Sequence, residues 1–223
     1  FNENDRFSVQ GAELNDELVL VNNQQGYYRL KNDHAYALFI RNFADDSWTI
    51  KMANGEIAYL GKTSNSRQSN SKGSYRWHIE LREDKFGHKI EYIYNFFQSR
   101  CYLNKITYQL HAEANYQNEI LFNYEFRNDV YTSYSYGEAE TTSKRLSSID
   151  IFHGNRLINK YQLAYQQHDM MFSLLNSIVF IGENGLAKPA VKFDYYKSDA
   201  PLSPLITMTN TPPIEGLLDG TAT

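Results

Sequence analysis

Arg145-Leu146-Ser147-Ser148-Ile149 and, after a polar interval, Tyr161-Gln162-Leu163-Ala164-Tyr165 form the stretch that decides the fold. It opens as Leu-x-x-Ile and closes on an alternating strand that ends in Tyr. Period-two alternation rich in aromatic and aliphatic residues marks a half-buried strand. The same phrase lies on either side. Upstream it reads Leu103, Ile106, then Ile120, Phe122, Tyr124, and downstream Leu175, Ile178, then Val191, Phe193, Tyr195. From the Ile to the closing Tyr the copies span 18, 16 and 17 residues (106 to 124, 149 to 165, 178 to 195). A unit of two short strands cannot bury its apolar face alone, so successive units must lie side by side. The expected fold is all-β, with antiparallel β-hairpin repeats tiled into a curved sheet or partial shell.

The pattern extends toward the N-terminus. Trp48, Ile50 and Met52 alternate, Asn54-Gly55 turns, and Ile57 and Tyr59 return. Asn-Gly suits a type I′ turn, which needs φ > 0 at both central residues. Trp77, Ile79 and Leu81 alternate next, Asp84 to Gly87 turns, and Ile90, Tyr92 and Tyr94 return. Gly55 and Gly87 are therefore expected at turn positions with unusual backbone angles. Lys62 to Gly73 is rich in Ser and Asn and lacks apolar anchors, so it reads as an exposed loop. Phe126 to Lys144 reads as an insertion whose Tyr131, Tyr134 and Tyr136 cover an edge or mark a binding loop. The organisation expected is one hairpin-repeat module over 1–197, belonging to a larger protein. Residues 198–223, with Pro201, Pro204, Pro212 and Pro213, read as a linker or the start of a next module.

Composition narrows the function. Of 223 residues, 42% are hydrophobic and 22% charged, enough apolar content for a core. The net charge is −4 and no Lys/Arg run occurs, which argues against nucleic acid as a partner. No apolar run is long enough for a membrane-spanning helix. Cys101 is the single cysteine, so a disulfide framework or cysteine zinc site cannot form within the chain. It reads as a small core residue.

Catalytic signals are sparse. Glu138-Ala139-Glu140 matches by letters the Glu-x-Glu of mono-ADP-ribosyltransferases, and Tyr131-Thr132-Ser133 mimics part of their Ser-Thr-Ser strand. The two lie only a few residues apart, whereas cofactor strand and catalytic loop need separation, so the pair reads as a solvated acidic loop. His34, His78, His88, His111, His153 and His168 are scattered without metal-ligand spacing. Glu80 and Glu91 read as strand carboxylates paired with Arg82 or Lys89. No catalytic residue, metal site or cofactor is expected.

The ordered string Trp77-x-Ile-x-Leu, Asp84-x-x-Gly87-x-x-Ile90-x-Tyr92-x-Tyr94, Tyr102-Leu103-x-x-Ile106-x-Tyr108, Ile120-x-Phe122-x-Tyr124-x-x-Arg127-x-Asp129 and Gly137 resembles a known family pattern. It is similar to the SpvB-like and TcB-like region of bacterial virulence proteins and insecticidal toxin complexes, and to the YD/Rhs repeats that continue it. Asp5-Arg6-Phe7 before Gly11, and Trp48 through Asn54-Gly55 to Tyr59-x-Gly61, fit the same pattern. The resemblance covers roughly residues 5–196 in repeat-period terms. It implies a non-catalytic β-sheet shell or scaffold of a secreted or cell-surface protein that encloses or presents an effector. Its implied partners are neighbouring domains of the same polypeptide, a toxin-complex subunit or effector cargo. Such regions often adjoin FG-GAP propeller blades with Asp-rich calcium loops, and no such loop string occurs here. The last strand, Val191, Phe193 and Tyr195, reads as an interaction edge where the sheet continues. The alternative is a carbohydrate-binding β-sandwich with Trp48, Trp77, Tyr131, Tyr134 and Tyr136 as an aromatic platform.

Overall fold

The computed structural model describes residues 6–11, 14–108, 117–134, 137–167 and 172–195. The first strands are β1 (Phe7–Gln10), β2 (Asn15–Asn22), β3 (Tyr27–Leu30), β4 (Leu38–Asn42), β5 (Ser47–Lys51) and β6 (Ile57–Leu60). A 3-10 turn at Ser64–Ser66 leads into β7 (Arg67–Asn70), β8 (Gly73–Trp77) and β9 (Ile79–Glu83). The long strands follow: β10 (Lys89–Phe97), β11 (Arg100–Tyr108), β12 (Asn118–Ser133), β13 (Glu140–His153), β14 (Arg156–Gln167) and β15 (Ser173–Gly182), then the short β16 (Val191–Lys192). No α-helix occurs among the described residues. Fourteen strands form one antiparallel sheet in chain order, with only β7 and β8 left out as a two-stranded sheet of their own. The chain divides into two compact units, Phe1–Phe193 and Asp194–Thr223, and only Asp194 and Tyr195 of the second are described. The linker expected at 198–223 lies outside the described residues.

The Leu-x-x-Ile phrase has a geometric meaning. Opposite the Tyr of the preceding strand, each copy carries a β-bulge at its first x. Tyr94 faces Leu103 while Ile93 faces Lys105, which leaves Asn104 extra. Tyr124 faces Leu146 with Ser147 extra, and Tyr165 faces Leu175 with Asn176 extra. The tyrosine hydroxyls reach back to the previous strand. Tyr94 donates to the Ile79 carbonyl at 2.8 Å, Tyr124 to Leu103 at 2.8 Å and Tyr165 to Leu146 at 2.6 Å. Burial raises the pKa of all three phenols, so they remain donors. Each repeat thus closes with a clasp over three strands. Bulges increase local twist and pin register.

The turns correct one sequence expectation. Gly55 has φ +88° and Gly87 φ +84°, but Asn54 is not in the left-handed region. The Gly55 amide donates to the Met52 carbonyl, and the Met52 amide to Glu56. This is a three-residue loop with a bulged glycine, not a two-residue type I′ turn. The extra residue slips the register by one, which flips the returning side chains. Ala58 and Leu60, not Ile57 and Tyr59, stand opposite Ile50 and Trp48. The Gly87 loop repeats this arrangement, with Asp84 accepting from Gly87 and donating to His88. A two-residue turn with positive φ at both positions does occur at Gln98 and Ser99, neither of them glycine.

The core sits in the first third. Leu14, Leu18, Leu30, Phe39, Trp48 and Ile50 are buried together, with Phe7, Tyr28, Leu60 and Trp77 packed on them. Neighbouring strands lie about 4.8 Å apart, so in a flat sheet β1 and β5 would be separated by roughly 19 Å. Yet the Phe7 and Trp48 rings are 5.0 Å apart, and Phe7 also meets Trp77 at 6.0 Å. The N-terminal strands therefore roll over their own inner face. The same face runs on by register from Ile50 through Ala58, Arg82 and Ile90 to Tyr108. Beyond β9 it carries opposed apolar rows, Tyr92–Ile106–Ile120–Ile151 and Phe122–Ile149–Tyr161–Phe180. These side chains are half-buried or exposed rather than buried. The opposite face carries cross-strand charge pairs, Lys105–Glu119 at 2.9 Å and Arg145–Glu125 at 2.6 Å.

Candidate functional site

The polar stretch Lys62–Gly73 is not an exposed loop. It forms a strap, the 3-10 turn over β10 and the β7–β8 hairpin over β11, in which Ser66, Gln68 and Ser74 are buried. Trp77, Ile79 and Leu81 do not lie on one uninterrupted strand. The chain changes sheets at His78, whose amide donates to Ser66 in the strap and whose carbonyl accepts from Gly61 at the end of the main sheet's β6.

The strap is held by carboxylates. The Ser71 amide and hydroxyl donate to Glu138 at 3.0 and 2.6 Å. Glu140 is buried and accepts from Arg76 at 3.1 Å and Arg100 at 3.2 Å. The solvated acidic loop expected for Glu138-Ala139-Glu140 is thus a clamp. The sequence gives no local sign of this, because Ser71 and Arg76 lie 67 and 64 residues upstream on the strap and Arg100 lies 40 upstream on β11. Asp46, at φ +56°, takes bonds from Arg41 and Ser74, and its carbonyl accepts from the Trp77 indole at 2.7 Å. These donors, with Arg67 nearby, outweigh burial and hold the Asp46 carboxyl below its ordinary range.

Between the clamps sits His78. Its Nε2 lies 3.1 Å from Gln68 Oε1, which also accepts from Arg76 at 2.8 Å. Gln68 Nε2 donates to the Ser99 carbonyl at 3.0 Å. Burial pushes His78 down to about 4, with Arg76 and Arg100 adding to the shift against Glu140. The ring is neutral at pH 7, with Nε2 as donor. Cys101 lies beneath the strap, with Sγ 3.0 Å from the Asn65 carbonyl, and burial pushes its thiol up to about 11. Such a thiol is unreactive at neutral pH.

The proposed aromatic platform is not assembled. Trp48 is 5% exposed and meets Trp77 edge-on, with Arg41 stacked 4.7 Å from the Trp77 ring. Both indoles are packed into the core and its rim, because they occupy inward strand positions beside Phe7. Tyr131 and Tyr134 are exposed, and Tyr136 lies outside the described residues. The expected insertion Phe126–Lys144 is instead mostly strand, with residues 127–130 bulged against a single partner residue. Within the bulge Arg127 binds Asp129 through two bonds, and Asp129 accepts from the Ser173 amide at 2.8 Å.

At the far edge, β16 pairs with β15 at only two positions, and the Phe193 amide extends the pairing to Asn176. Val191 is exposed. Tyr195 falls in the second unit. Among the described residues no group of His, Cys, Asp and Glu could hold a metal ion. His34, His88 and His153 bond locally to Asn32, Asp84 and Asn118, while His111 and His168 lie outside the described residues. Glu80 caps Thr63 and Glu91 accepts from Thr107, rather than from the expected Arg82 and Lys89.

No protein-family model and no curated protein matches the chain. Solved structures do. A crystal structure of TcdB2-TccC3-Cdc42 superposes with a TM-score of 0.72 at 17% identity, covering 88% of this chain and 13% of that one. The Photorhabdus luminescens Tc holotoxin pore gives 0.68 at 15% identity, covering 81% and 12%. The N-terminal domain of effector protein SpvB from Salmonella typhimurium LT2 gives 0.61 at 15% identity, covering 80% of this chain and 74% of that one. The chain therefore spans about an eighth of the Tc chains it matches. The likeness extends over four-fifths or more of this chain, which has the SpvB-like, Tc-toxin-like β-sheet fold.

Proposed function

We propose that residues 1–197 form a non-catalytic wall module of a secreted, toxin-associated bacterial protein, with 198–223 leading into the next module. The observation that carries this is the apolar face beyond β9, which is continuous with the core face and whose opposed rows are half-buried or exposed among the described residues. An extended apolar sheet face suits contact with further protein, either more wall or an enclosed effector. The edge at Val191, Phe193 and Tyr195 is where we place the continuation of the sheet, because β16 leaves the outer side of the sheet to be paired or covered. The polar opposite face, laced with ion pairs, suits solvent. Among the described residues the carbohydrate reading keeps Tyr131 and Tyr134 as exposed rings, and it loses both tryptophans.

Electron cryomicroscopy of the full-length gene product tests the proposal. The expected image places this sheet within a continuous β-walled body, apolar face inward. A separate bead on a linker, with that face in solvent, would overturn it. Incubation with NAD provides a second check. No turnover is expected, and turnover lost in Glu140→Gln would make the clamp an active site instead.

A further inference from the structure

The Leu-x-x-Ile copies obey one pairing rule. In the first, Tyr92 of β10 faces Ile106 of β11, and Tyr94 faces Leu103. In the second, Phe122 of β12 faces Ile149 of β13, and Tyr124 faces Leu146. In the third, Leu163 of β14 faces Ile178 of β15, and Tyr165 faces Leu175. In all three, a strand that closes on apolar-x-Tyr pairs next with one that opens on Leu-x-x-Ile. The apolar residue meets the Ile, the Tyr meets the Leu, and the residue after the Leu bulges out. The phrase fixes register because a slip of one residue would turn the faces of the incoming strand over.

β16 takes the closing part. Val191-Lys192-Phe193-Asp194-Tyr195 repeats the pattern that closes β12 and β14. β16 stands last in the sheet. Its inner side is occupied, with Val191 opposite Ile178 and the Phe193 amide donating to Asn176 at 2.9 Å. Successive residues of an antiparallel strand aim their amides and carbonyls at opposite sides, so the backbone groups of Lys192 point outward. Val191 is 60% exposed, and Lys192 is exposed as well. Just upstream the Lys188 amide donates inward to Phe180, and Pro189 has no amide to offer outward. A proline blunts the edge where it stands. The open stretch therefore begins after Pro189, at the apolar positions of the repeat itself.

We infer that the outer edge of β16 takes an antiparallel strand that opens on Leu-x-x-Ile, with its Ile facing Phe193 and the second residue after that Ile facing Val191. The strand comes from the next module of the same polypeptide. Neighbours in the sheet follow chain order, and the phrase occurs at 103–106, 146–149 and 175–178 but not within 196–223. This inference rests on the wall reading and adds to it the sequence and register of the neighbour. The β13 sequence shows what fits. Leu146 and Ile149 keep the spacing, Ile151 would meet Val191, and Asp150 would meet Lys192 as its opposite charge.

A peptide of residues 144–153, added to the full chain, tests the register. The chain carries Val191→Cys, and the peptide carries either Ile151→Cys or Ile149→Cys. Val191 spends its backbone bonds on β15, so toward a new strand it stands in a non-hydrogen-bonded pair, where facing side chains come closest. A disulfide formed there reports which residue faces it. In a glutathione redox buffer the Ile151→Cys peptide should give at least about fivefold more mixed disulfide than the Ile149→Cys peptide. Adding Ile149→Lys to the Ile151→Cys peptide should abolish that gain. The chain without Val191→Cys supplies the background from Cys101. Equal yields at the two positions, no yield above that of a scrambled peptide, or indifference to Ile149→Lys would overturn the inference. None of these results touches the wall reading, which the image of the full-length product decides. In that image a strand of a separate subunit beside β16 would overturn the source assigned here.

Discussion

The rolled strands β1–β6 and the open strands β10–β15 share one continuous apolar face but bury different things. In the roll the buried residues are mainly aliphatic and aromatic, among them Leu18, Leu30, Phe39, Trp48 and Ile50. In the open sheet they are Tyr102, Thr107, Glu140, Thr142, Ser143 and Ser148. The first region closes on itself and completes a core. The second is held edgewise, by ladders, bulges and tyrosine clasps. The same alternating pattern can therefore yield a self-sufficient fold or an unfinished layer, depending on whether the sheet curls far enough to meet itself.

The contrast is sharpest in truncations. Trp48→Ala should cost about 4 kcal/mol, the range for removing a buried aromatic side chain. Leu163→Ala, on the half-buried face of β14, should cost about 1 kcal/mol, since little apolar area is lost there. Urea melts of the two variants check this, and equal losses would mean that the second region has a core of its own. Gly61 ties the roll to the strap. It has φ +69°, and a Cβ there would lie 2.3 Å from Trp77 Cδ1. Gly61→Ala should cost about 3 kcal/mol from left-handed strain plus overpacking. Gly87→Ala, with nothing within 4 Å, should cost only about 1 kcal/mol. Thermal melts that rank the two alike would remove the strap from the account of the core.

The pH dependence follows from His78. Its folded value, about 4, lies below the ordinary 6.5, so the unfolded chain takes the proton first. Stability is fully present above pH 6.5 and declines as pH falls toward 4, by about 2 kcal/mol after allowing for partial exposure. His78→Gln should flatten that part of the profile, and an unchanged profile would point to another titrating group. The smallest effect is expected at the clasps. Tyr124→Phe removes one hydroxyl bond to Leu103 and should cost about 1 kcal/mol, with faster exchange across β11 and β12. No change in exchange at Leu103 would show that the bulge alone sets the register.

The strand order and repeat boundaries were legible because Leu-x-x-Ile and its closing Tyr are local signals. The bulge residue is the x after Leu in all three copies, at Asn104, Ser147 and Asn176. The register of the Asn54-Gly55 hairpin is not fixed by its sequence, since the same dipeptide fits loops of two or three residues and one residue reverses the faces. The strap was invisible for a different reason. Its buried residues are Ser and Gln, and its polar partners are Glu138, Glu140, Asp46 and Ser99, contacts made far along the chain. Trp48 and Trp77 belong to the core and its rim because Phe7, about forty and seventy residues upstream, folds over them, a contact no local pattern encodes.

The difference between a finished roll and an unfinished layer can be read amide by amide. Hydrogen exchange of the full chain at neutral pH, followed by mass spectrometry, compares Leu38–Lys51 with Arg156–Gly182 directly. The account predicts that β4 and β5 exchange slowest, through global unfolding, while β14 and β15 open sub-globally and exchange faster by at least tenfold, about 1.4 kcal/mol. Protection of β14 and β15 equal to that of β5 would contradict it, because side chains that are half-buried or exposed supply less packing than the buried ones of β5.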